Sequence, residues 1–136
     1  MNSNPAPPPA PGPRTHRKCI LVVEDEFLIR TLISDELRAE EYDVIEAISA
    51  DEAIAILKAG VRIDLIFTDV RMPGDIDGLG LLAYVKQSHP YIPVVMTSGH
   101  LPAEMALSDG AALFLPKPYT FPRALALIQE VLAMPL

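Results

Sequence analysis

The sequence predicts an α/β fold, a doubly wound five-stranded parallel sheet with five helices, over residues 18–136. The first reason is order: after residue 17 the chain alternates five times between a short apolar segment and an amphipathic one, which favours a parallel sheet covered on both faces. The second reason is that the first segment, Cys-Ile-Leu-Val-Val, is apolar without alternation, as in a strand buried on both sides. The third is that right-handed crossovers leave few other topologies.

The first half of this domain contains three predicted strands and two helices. The opening strand, residues 19–23, stops at three acids, and an amphipathic helix follows. The apolar stripe of this helix consists of Leu28, Leu32, Ile33 and Leu37. After a second strand at residues 44–47, a Ser-Ala-Asp-Glu capping box begins the second helix at Ser49, and Gly60 ends it. The third strand covers residues 63–68.

The second half repeats the alternation with three helices and two strands. Proline and glycine residues mark most of the boundaries, because proline interrupts the backbone hydrogen bonding and glycine ends helices. In chain order, the predicted elements are a helix at 78–89, a strand at 92–96, a short helix at 102–109, a strand at 112–115, and a helix at 121–134 capped by Thr120.

Residues 1–17 differ in composition from the domain. The segment contains six prolines and almost no large apolar side chain. Such a composition cannot build a core and favours an extended, solvated tail. We therefore expect a proline-rich, disordered tail before the folded domain.

Composition excludes several classes of protein. Eighteen acidic against eleven basic residues give a net charge of −7, which argues against a nucleic-acid partner because DNA would repel the domain. The single cysteine, Cys19, excludes an intramolecular disulfide. No apolar run reaches the roughly 18–20 residues of a membrane span, and the N-terminus lacks a signal-peptide core. We therefore expect a cytoplasmic protein that does not contact a membrane.

Polar residues follow or end four of the predicted strands. They are, in chain order, Glu24 and Asp25, then Asp69, Thr97 and Lys117. Parallel strands bring such groups to one edge of the sheet, where folds of this class bind their ligands. Clustered carboxylates repel one another unless a cation is present, and Mg²⁺ suits carboxylates combined with phosphate oxygens. A lysine and a hydroxyl beside them predict a metal-assisted phosphoryl site with a carboxylate nucleophile.

Each of these residues could also have an ordinary structural role. Acids after a strand favour the N-terminus of the next helix. A Lys-Pro pair is common in turns, and a threonine hydroxyl can bond the backbone. The joint placement at four strand ends distinguishes the predicted site from a set of separate structural roles.

Longer motifs surround the same residues. The sequence reads Leu-Val-Val-Glu-Asp-Glu at the first strand, Phe-Thr-Asp-Val-Arg-Met-Pro-Gly at the third, Val-Met-Thr-Ser-Gly at the fourth and Leu-Pro-Lys-Pro-Tyr at the fifth. Over roughly residues 18–134 these motifs resemble the receiver domain of response regulators in two-component signalling. The resemblance implies a flavodoxin-like strand order 2-1-3-4-5. With Met1 and the tail, it also leads us to expect a free-standing receiver without an output domain, although a piece of a longer regulator or hybrid kinase is an alternative.

The resemblance assigns roles around a phosphoacceptor and a metal. Asp69 is expected to accept a phosphoryl group from a histidine kinase or a histidine phosphotransfer protein, and to share in binding Mg²⁺. Asp25 is expected to bind the ion directly and Glu24 through water, with the backbone carbonyl of Arg71 as a further ligand. Glu24 stands where the family usually has a second aspartate. One extra residue lies between Asp69 and Gly78, so we expect that loop to bulge.

The resemblance also assigns the groups that respond to phosphorylation. Thr97 and Lys117 are expected to bind the phosphoryl oxygens, and Phe114 to be the switch aromatic that repacks. The bond before Pro118 is expected to be cis. The chain would then be a phosphoacceptor rather than an enzyme with turnover, capable of self-catalysed phosphotransfer and autodephosphorylation.

The output surface is the least defined feature of the sequence. The fourth and fifth predicted helices carry few charges, so an apolar patch over them would mark a homodimer contact or a protein target. The alternative is that alanines merely dilute the exposed face of these helices.

Two further functions compete with the receiver assignment. An aspartyl phosphohydrolase resembling the haloacid dehalogenase family would carry Asp-x-Asp after its first strand, where this chain has Glu-Asp-Glu, and its nucleophile would not lie on the third strand. A docking module that is never phosphorylated would not need the acids, the threonine and the lysine of a phosphoryl site, all of which this chain has.

Overall fold

The computed structural model describes residues 17–99 and 103–134, so nearly all of the predicted proline-rich tail lies outside the described residues. Five strands form one parallel sheet in the order β2-β1-β3-β4-β5, which confirms the predicted fold. The strands are β1 (Cys19–Val23), β2 (Asp43–Ala47), β3 (Leu65–Asp69), β4 (Val94–Ser98) and β5 (Leu113–Pro116). The helices are α1 (Phe27–Ala39), α2 (Ala50–Lys58), α3 (Gly78–Ser88), α4 (Ala103–Ser108) and α5 (Phe121–Ala133).

The helices cover both faces of the sheet, because successive strand residues alternate between two separate cores. One face of the sheet packs against α2, α3 and α4, and its core includes Leu21, Ile66 and Met96. The opposite face packs against α1 and α5, and its core includes Ile20 and Phe67. Because both faces of the central strands are covered, both sets of their side chains are apolar. This agrees with the continuous apolar sequence of β1.

The predicted apolar stripe of α1 is half wrong. Ile33 and Leu37 are fully buried, but Leu28 is 65% and Leu32 41% exposed. The helix instead buries Ser34, one position beyond Ile33. Two apolar residues of α1 therefore face outwards near its N-terminal end, close to Phe27, which is also exposed.

Two strands begin two residues later in the chain than predicted, and β5 begins one residue later. Asp64 lies directly before β3 and contacts β1 twice: its carboxylate Oδ2 accepts the backbone N–H of Cys19 at 2.8 Å, and its own backbone N–H donates to the carbonyl of Cys19 at 2.8 Å. The fourth strand starts at Val94, directly after Pro93, and continues to Ser98. Thr97 therefore belongs to the ladder, where it is the register partner of Asp69.

Side-chain caps fix where three helices begin. Ser49 Oγ accepts the N–H of Glu52 at 3.1 Å, as the predicted capping box requires. Asp77 Oδ1 accepts the N–H of Gly80 at 2.9 Å, and Thr120 Oγ1 accepts that of Arg123 at 3.3 Å. These caps set the ends of the loops that surround the strand ends.

The surfaces of α4 and α5 differ from each other. Met105 and Leu107 of α4 are exposed. The exposed residues of α5 are small or polar, including Ala126, Gln129 and Glu130. Alanines thus dilute the outer face of α5, and the exposed large apolar side chains lie on α4.

None of the helices in the described part of the chain has the length and apolar character needed to cross a membrane.

Candidate functional site

The carboxyl ends of four strands place the predicted functional residues at one edge of the sheet. Glu24 directly follows β1, Asp69 ends β3, Thr97 lies opposite Asp69 on β4, and Lys117 directly follows β5. All four strands are parallel and hydrogen-bonded in register. Glu24 and Lys117, which lie far apart in the sequence, therefore come within 3.5 Å of each other.

Three carboxylates form a compact cluster at this edge. One oxygen each from Glu24, Asp25 and Asp69 lies within 4.8 Å of the others. Glu24 and Asp69 are buried and Asp25 is exposed. Gly78 permits the close approach of α3 behind the cluster, because a Cβ at that position would clash with the backbone carbonyl oxygen of Asp69.

Lys117 supplies the positive charge of the site. Its Nζ donates a hydrogen bond to Asp69 Oδ2 at 2.7 Å and lies 3.5 Å from Glu24 Oε1. Burial opposes the charged form of the lysine, but the hydrogen bond and negative charge of Asp69, with the charge of Glu24, raise its pKa overall. The lysine is therefore charged at neutral pH. The peptide bond that follows it, Lys117–Pro118, is cis as expected.

The electrostatics of Glu24 favour a cation beside the cluster. Burial raises the pKa of Glu24 to about 7, and the negative charge of Asp69 contributes to the rise. The N–H of Glu26, which donates to Glu24 Oε2 at 3.2 Å, and the charge of Lys117 oppose it. An all-oxygen donor set whose charges destabilise one another fits a hard divalent ion such as Mg²⁺.

Thr97 brings a hydroxyl to the same edge of the sheet. The residue is buried, and among the described residues its Oγ1 has no hydrogen-bond partner. Burying a hydroxyl without a partner lowers the stability of the free protein. Because the hydroxyl makes no other hydrogen bond here, it is available to donate one to the oxygen of a ligand.

A cleft of about 320 Å³ opens over the cluster. Seven residues from the loops at this edge of the sheet line the cleft, and five of them are charged. They are Asp25, Glu26, Asp69, Arg71, Ser98, Gly99 and Lys117. The backbone N–H of Arg71 donates to Asp69 Oδ1 at 3.4 Å, so this residue lies beside the cluster, while the metal-binding role of its carbonyl stays a prediction. The cleft is therefore polar, open to solvent and large enough for a phosphoryl group.

Phe114 lies outside this cleft, on one face of the sheet. It is half-buried on β5 as the register partner of Met96, and it packs against the core beneath α2, α3 and α4. Its repacking on phosphorylation stays a prediction.

The predicted bulge after Asp69 contains two further acids, Asp75 and Asp77. Both are exposed, and the carboxylate of Asp77 caps α3. Gly74 adopts a positive φ of 103°, which glycine tolerates and which allows the loop to turn close to Asp51 of α2. Asp77 therefore caps a helix, and neither acid belongs to the three-carboxylate cluster.

Sequence reasoning missed two residues beside the site. Tyr119 buries its hydroxyl without a partner among the described residues, and burial raises its pKa to about 12. Arg30 of α1 donates to the backbone carbonyl of Glu24 at 2.8 Å. Arg30 has no sequence signal, because an arginine on an amphipathic helix is an ordinary surface residue by pattern. Tyr119 ends the Leu-Pro-Lys-Pro-Tyr motif, which could have identified it.

Comparison with known proteins agrees with this geometry. Residues 20–129 match the family model described as response regulator receiver domain. The nitrogen assimilation regulatory protein NtrX of Azorhizobium caulinodans is 39% identical over 117 residues, which are 83% of this chain and 26% of that protein. The DNA-binding transcriptional regulator NtrC of Salmonella typhimurium is 33% identical over 120 residues, 86% of this chain and 25% of that protein. The chain thus spans about a quarter of the length of these curated relatives.

Solved structures show the same likeness. The receiver domain of NtrX from Brucella abortus superposes with a TM-score of 0.78 at 37% identity, over 85% of this chain and 99% of that one. A CheY-like response regulator receiver domain protein from Methanospirillum hungatei gives a TM-score of 0.79 at 28% identity, over 85% of this chain and 94% of that one.

Proposed function

This chain belongs to the response regulator receiver domain family, and from that membership we propose that Asp69 accepts a phosphoryl group from the phosphohistidine of a histidine kinase or histidine phosphotransfer protein. The observation that carries the proposal is the position of the Asp69 carboxylate, 2.7 Å from Lys117 Nζ and within the three-acid cluster. An exposed aspartate elsewhere on the surface would lack both the neighbouring lysine ammonium and the two neighbouring carboxylates.

The transfer is a displacement at phosphorus. An oxygen of the Asp69 carboxylate attacks the phosphorus atom, the bond between phosphorus and the histidine nitrogen breaks, and the nitrogen keeps the electron pair. The imidazole takes up one proton from water as it leaves, so the products are an aspartyl phosphate and a neutral histidine. Because such transfers need positioning and charge stabilisation more than covalent help, the neighbouring groups decide the rate.

A divalent ion completes this arrangement. Asp25 and Asp69, with Glu24 through water and the backbone carbonyl of Arg71, would hold Mg²⁺. When bound, the ion would neutralise charge on the acids and on the phosphoryl oxygens. The burial of both Glu24 and Asp69 supports this assignment, because neighbouring carboxylates removed from water repel each other strongly and a cation relieves that repulsion.

Lys117 and Thr97 would bind the transferred group. Lys117 Nζ already contacts the carboxylate that is modified, so a small movement brings it to a phosphoryl oxygen. The unpartnered hydroxyl of Thr97 gains a strong acceptor at the same time. Both new contacts stabilise the conformation of the phosphorylated protein. We propose that this conformation differs in the loops after β3 and β4 and in the position of Phe114.

The output would be an altered protein contact rather than a chemical product. Met105 and Leu107 on α4 offer exposed apolar surface for a second copy or a protein target. The lack of nucleic-acid binding by this domain and its cytoplasmic location stay predictions. The name of the NtrC relative describes DNA binding, and this chain aligns with one quarter of that protein.

The first test is labelling with acetyl phosphate and Mg²⁺, followed by intact-mass measurement. We expect one phosphoryl group per chain in the wild type and none in Asp69→Asn. Asp75→Asn is the matched control, because Asp75 is an exposed acid of the neighbouring loop, and it should label like the wild type. Undiminished labelling of Asp69→Asn would overturn the assignment.

Labelling and a separate turnover assay together separate the competing functions. A phosphohydrolase would turn over a small phosphate ester many times, whereas a phosphoacceptor carries at most one phosphoryl group per chain and leaves such an ester intact. A docking module would show no labelling at all. Phosphotransfer from a panel of purified histidine kinases would then identify the donor.

A further inference from the structure

Arg30 occupies an unusual position behind the acidic loop between β1 and α1. Its side chain is only 13% exposed, although arginines on helix surfaces normally extend into water. Its Nη1 donates to the backbone carbonyl of Glu24 at 2.8 Å and lies 3.4 Å from that of Asp25. The guanidinium thus contacts the backbone of both acids that lead into the candidate cation site.

These contacts hold the backbone of the loop and leave its carboxylates available for a ligand. The backbone N–H of Glu24 is already held by the carbonyl of Ala47 at 3.0 Å. With Arg30 on the carbonyl, both backbone groups of Glu24 are bonded. The peptide planes on either side of Asp25 are then restricted, and with them the direction of its exposed carboxylate.

Arg30 is itself held by two neighbours. Its Nε lies 3.6 Å from Glu46 Oε1 on β2, and its guanidinium carbon lies 5.6 Å from the centre of the Phe27 ring. Glu46 also accepts a hydrogen bond from Arg38 at 3.1 Å. The carboxylate of Glu46 therefore serves two arginines of α1, of which only Arg30 contacts the loop.

We propose that Arg30 is a positioning residue for the cation site, holding the Glu24–Asp25 backbone in the geometry that binds Mg²⁺. The inference rests on the proposed function, since it presumes that the three acids bind the ion. Two simpler roles for Arg30 would give different results when the residue is replaced. A purely structural arginine would only attach α1 to β2, and a purely electrostatic one would repel the incoming cation.

The test is the Mg²⁺ dissociation constant, measured by isothermal titration calorimetry on the folded protein with Mg²⁺ alone. Groups that orient metal ligands typically contribute roughly 10–100-fold to affinity. We expect Arg30→Gln to weaken Mg²⁺ binding about tenfold. Electrostatics alone predicts the opposite sign, because the substitution removes a positive charge near the ion.

Arg30→Lys separates charge from geometry. Lysine keeps the charge but has no planar fork that reaches two carbonyls and Glu46 together. We expect it to bind Mg²⁺ more weakly than the wild type as well. The Mg²⁺ concentration for half-maximal acetyl phosphate labelling should rise in both variants, while the labelling rate at saturating Mg²⁺ stays near that of the wild type.

Arg38→Gln is the matched control, since Arg38 bonds the same glutamate but does not contact the loop. We expect its Mg²⁺ dissociation constant to stay within about twofold of the wild type. Equal weakening in Arg38→Gln, or unchanged or tighter binding in Arg30→Gln, would overturn the inference while the proposed function stands. A wild-type protein that neither binds Mg²⁺ nor labels would overturn the proposed function itself, and the inference with it.

Discussion

Two buried threonines on neighbouring strands differ in whether their hydroxyl groups are hydrogen-bonded. Thr68 Oγ1 donates to the backbone carbonyl of Asp69 at 2.9 Å. Thr97 Oγ1, equally buried, has no partner among the described residues. The first hydroxyl contributes to stability in the free protein, whereas the second does not; under the proposed function it would bind a phosphoryl oxygen.

We therefore expect Thr97→Val to raise the free energy of unfolding by about 1 kcal/mol, because it removes an unsatisfied hydroxyl at nearly constant volume. Thr68→Val should lower it by a similar amount, since a made hydrogen bond is lost. Urea denaturation of the two variants beside the wild type measures both effects. Equal destabilisation of both variants would mean that the Thr97 hydroxyl has a partner after all.

Glu24 makes stability depend on pH when no metal is bound. Its pKa is about 7 in the folded state against an ordinary value of 4.5, so between these values the folded protein holds a proton that the unfolded chain has released. The free energy of unfolding therefore falls as pH rises from about 5 to 8, by up to roughly 3 kcal/mol from this group.

The measurement is a set of urea midpoints from about pH 5 to about pH 8 with a chelator present. Glu24→Gln should lose the decline that the wild type shows, so that the two stability curves diverge as pH increases. Titrating groups distant from Glu24 affect both proteins equally and cancel in the difference. Parallel curves would show that Glu24 ionises as freely in the folded state as in the unfolded chain.

At the scale of the elements, the order and type of all ten could be predicted, because each strand and helix has its own apolar period and its own end signal. The predicted starts of β3 and β4 were two residues too early. β3 begins after Asp64, whose carboxylate and backbone N–H both bond Cys19, and β4 begins after Pro93, which has no N–H to donate to the sheet. The outer position of Leu28 was not predictable from period alone, since about 100° per residue leaves the edge of a helical stripe undecided.

The residues of the candidate site could be predicted, but the residues that hold them in place could not. Acids and a lysine at strand ends can be found from sequence, because parallel strands all present their carboxyl ends at one edge. The contact of Arg30 with Glu24 cannot be found in this way, because it spans a turn of helix and depends on the direction of the arginine side chain. The unpaired state of the Thr97 hydroxyl likewise depends on every neighbour at once.

At the scale of the whole molecule, the site connects parts of the chain that are distant in sequence. The three acids come from the ends of β1 and β3, and the lysine that contacts them follows β5, on the other side of β4. The unfolded chain cannot bring these groups together, so Mg²⁺ should bind the folded state alone. Binding must then stabilise the entire sheet rather than one loop.

We expect Mg²⁺ at about a hundred times its dissociation constant to add about 2.7 kcal/mol to the free energy of unfolding. For a domain of this size the thermal midpoint should rise by roughly 10 °C. Circular dichroism during heating, with and without Mg²⁺, measures the shift, and Asp25→Asn should abolish most of it while Asp75→Asn keeps it. An equal shift in both variants would place the stabilising ion outside the three-acid cluster, because only Asp25 belongs to that cluster.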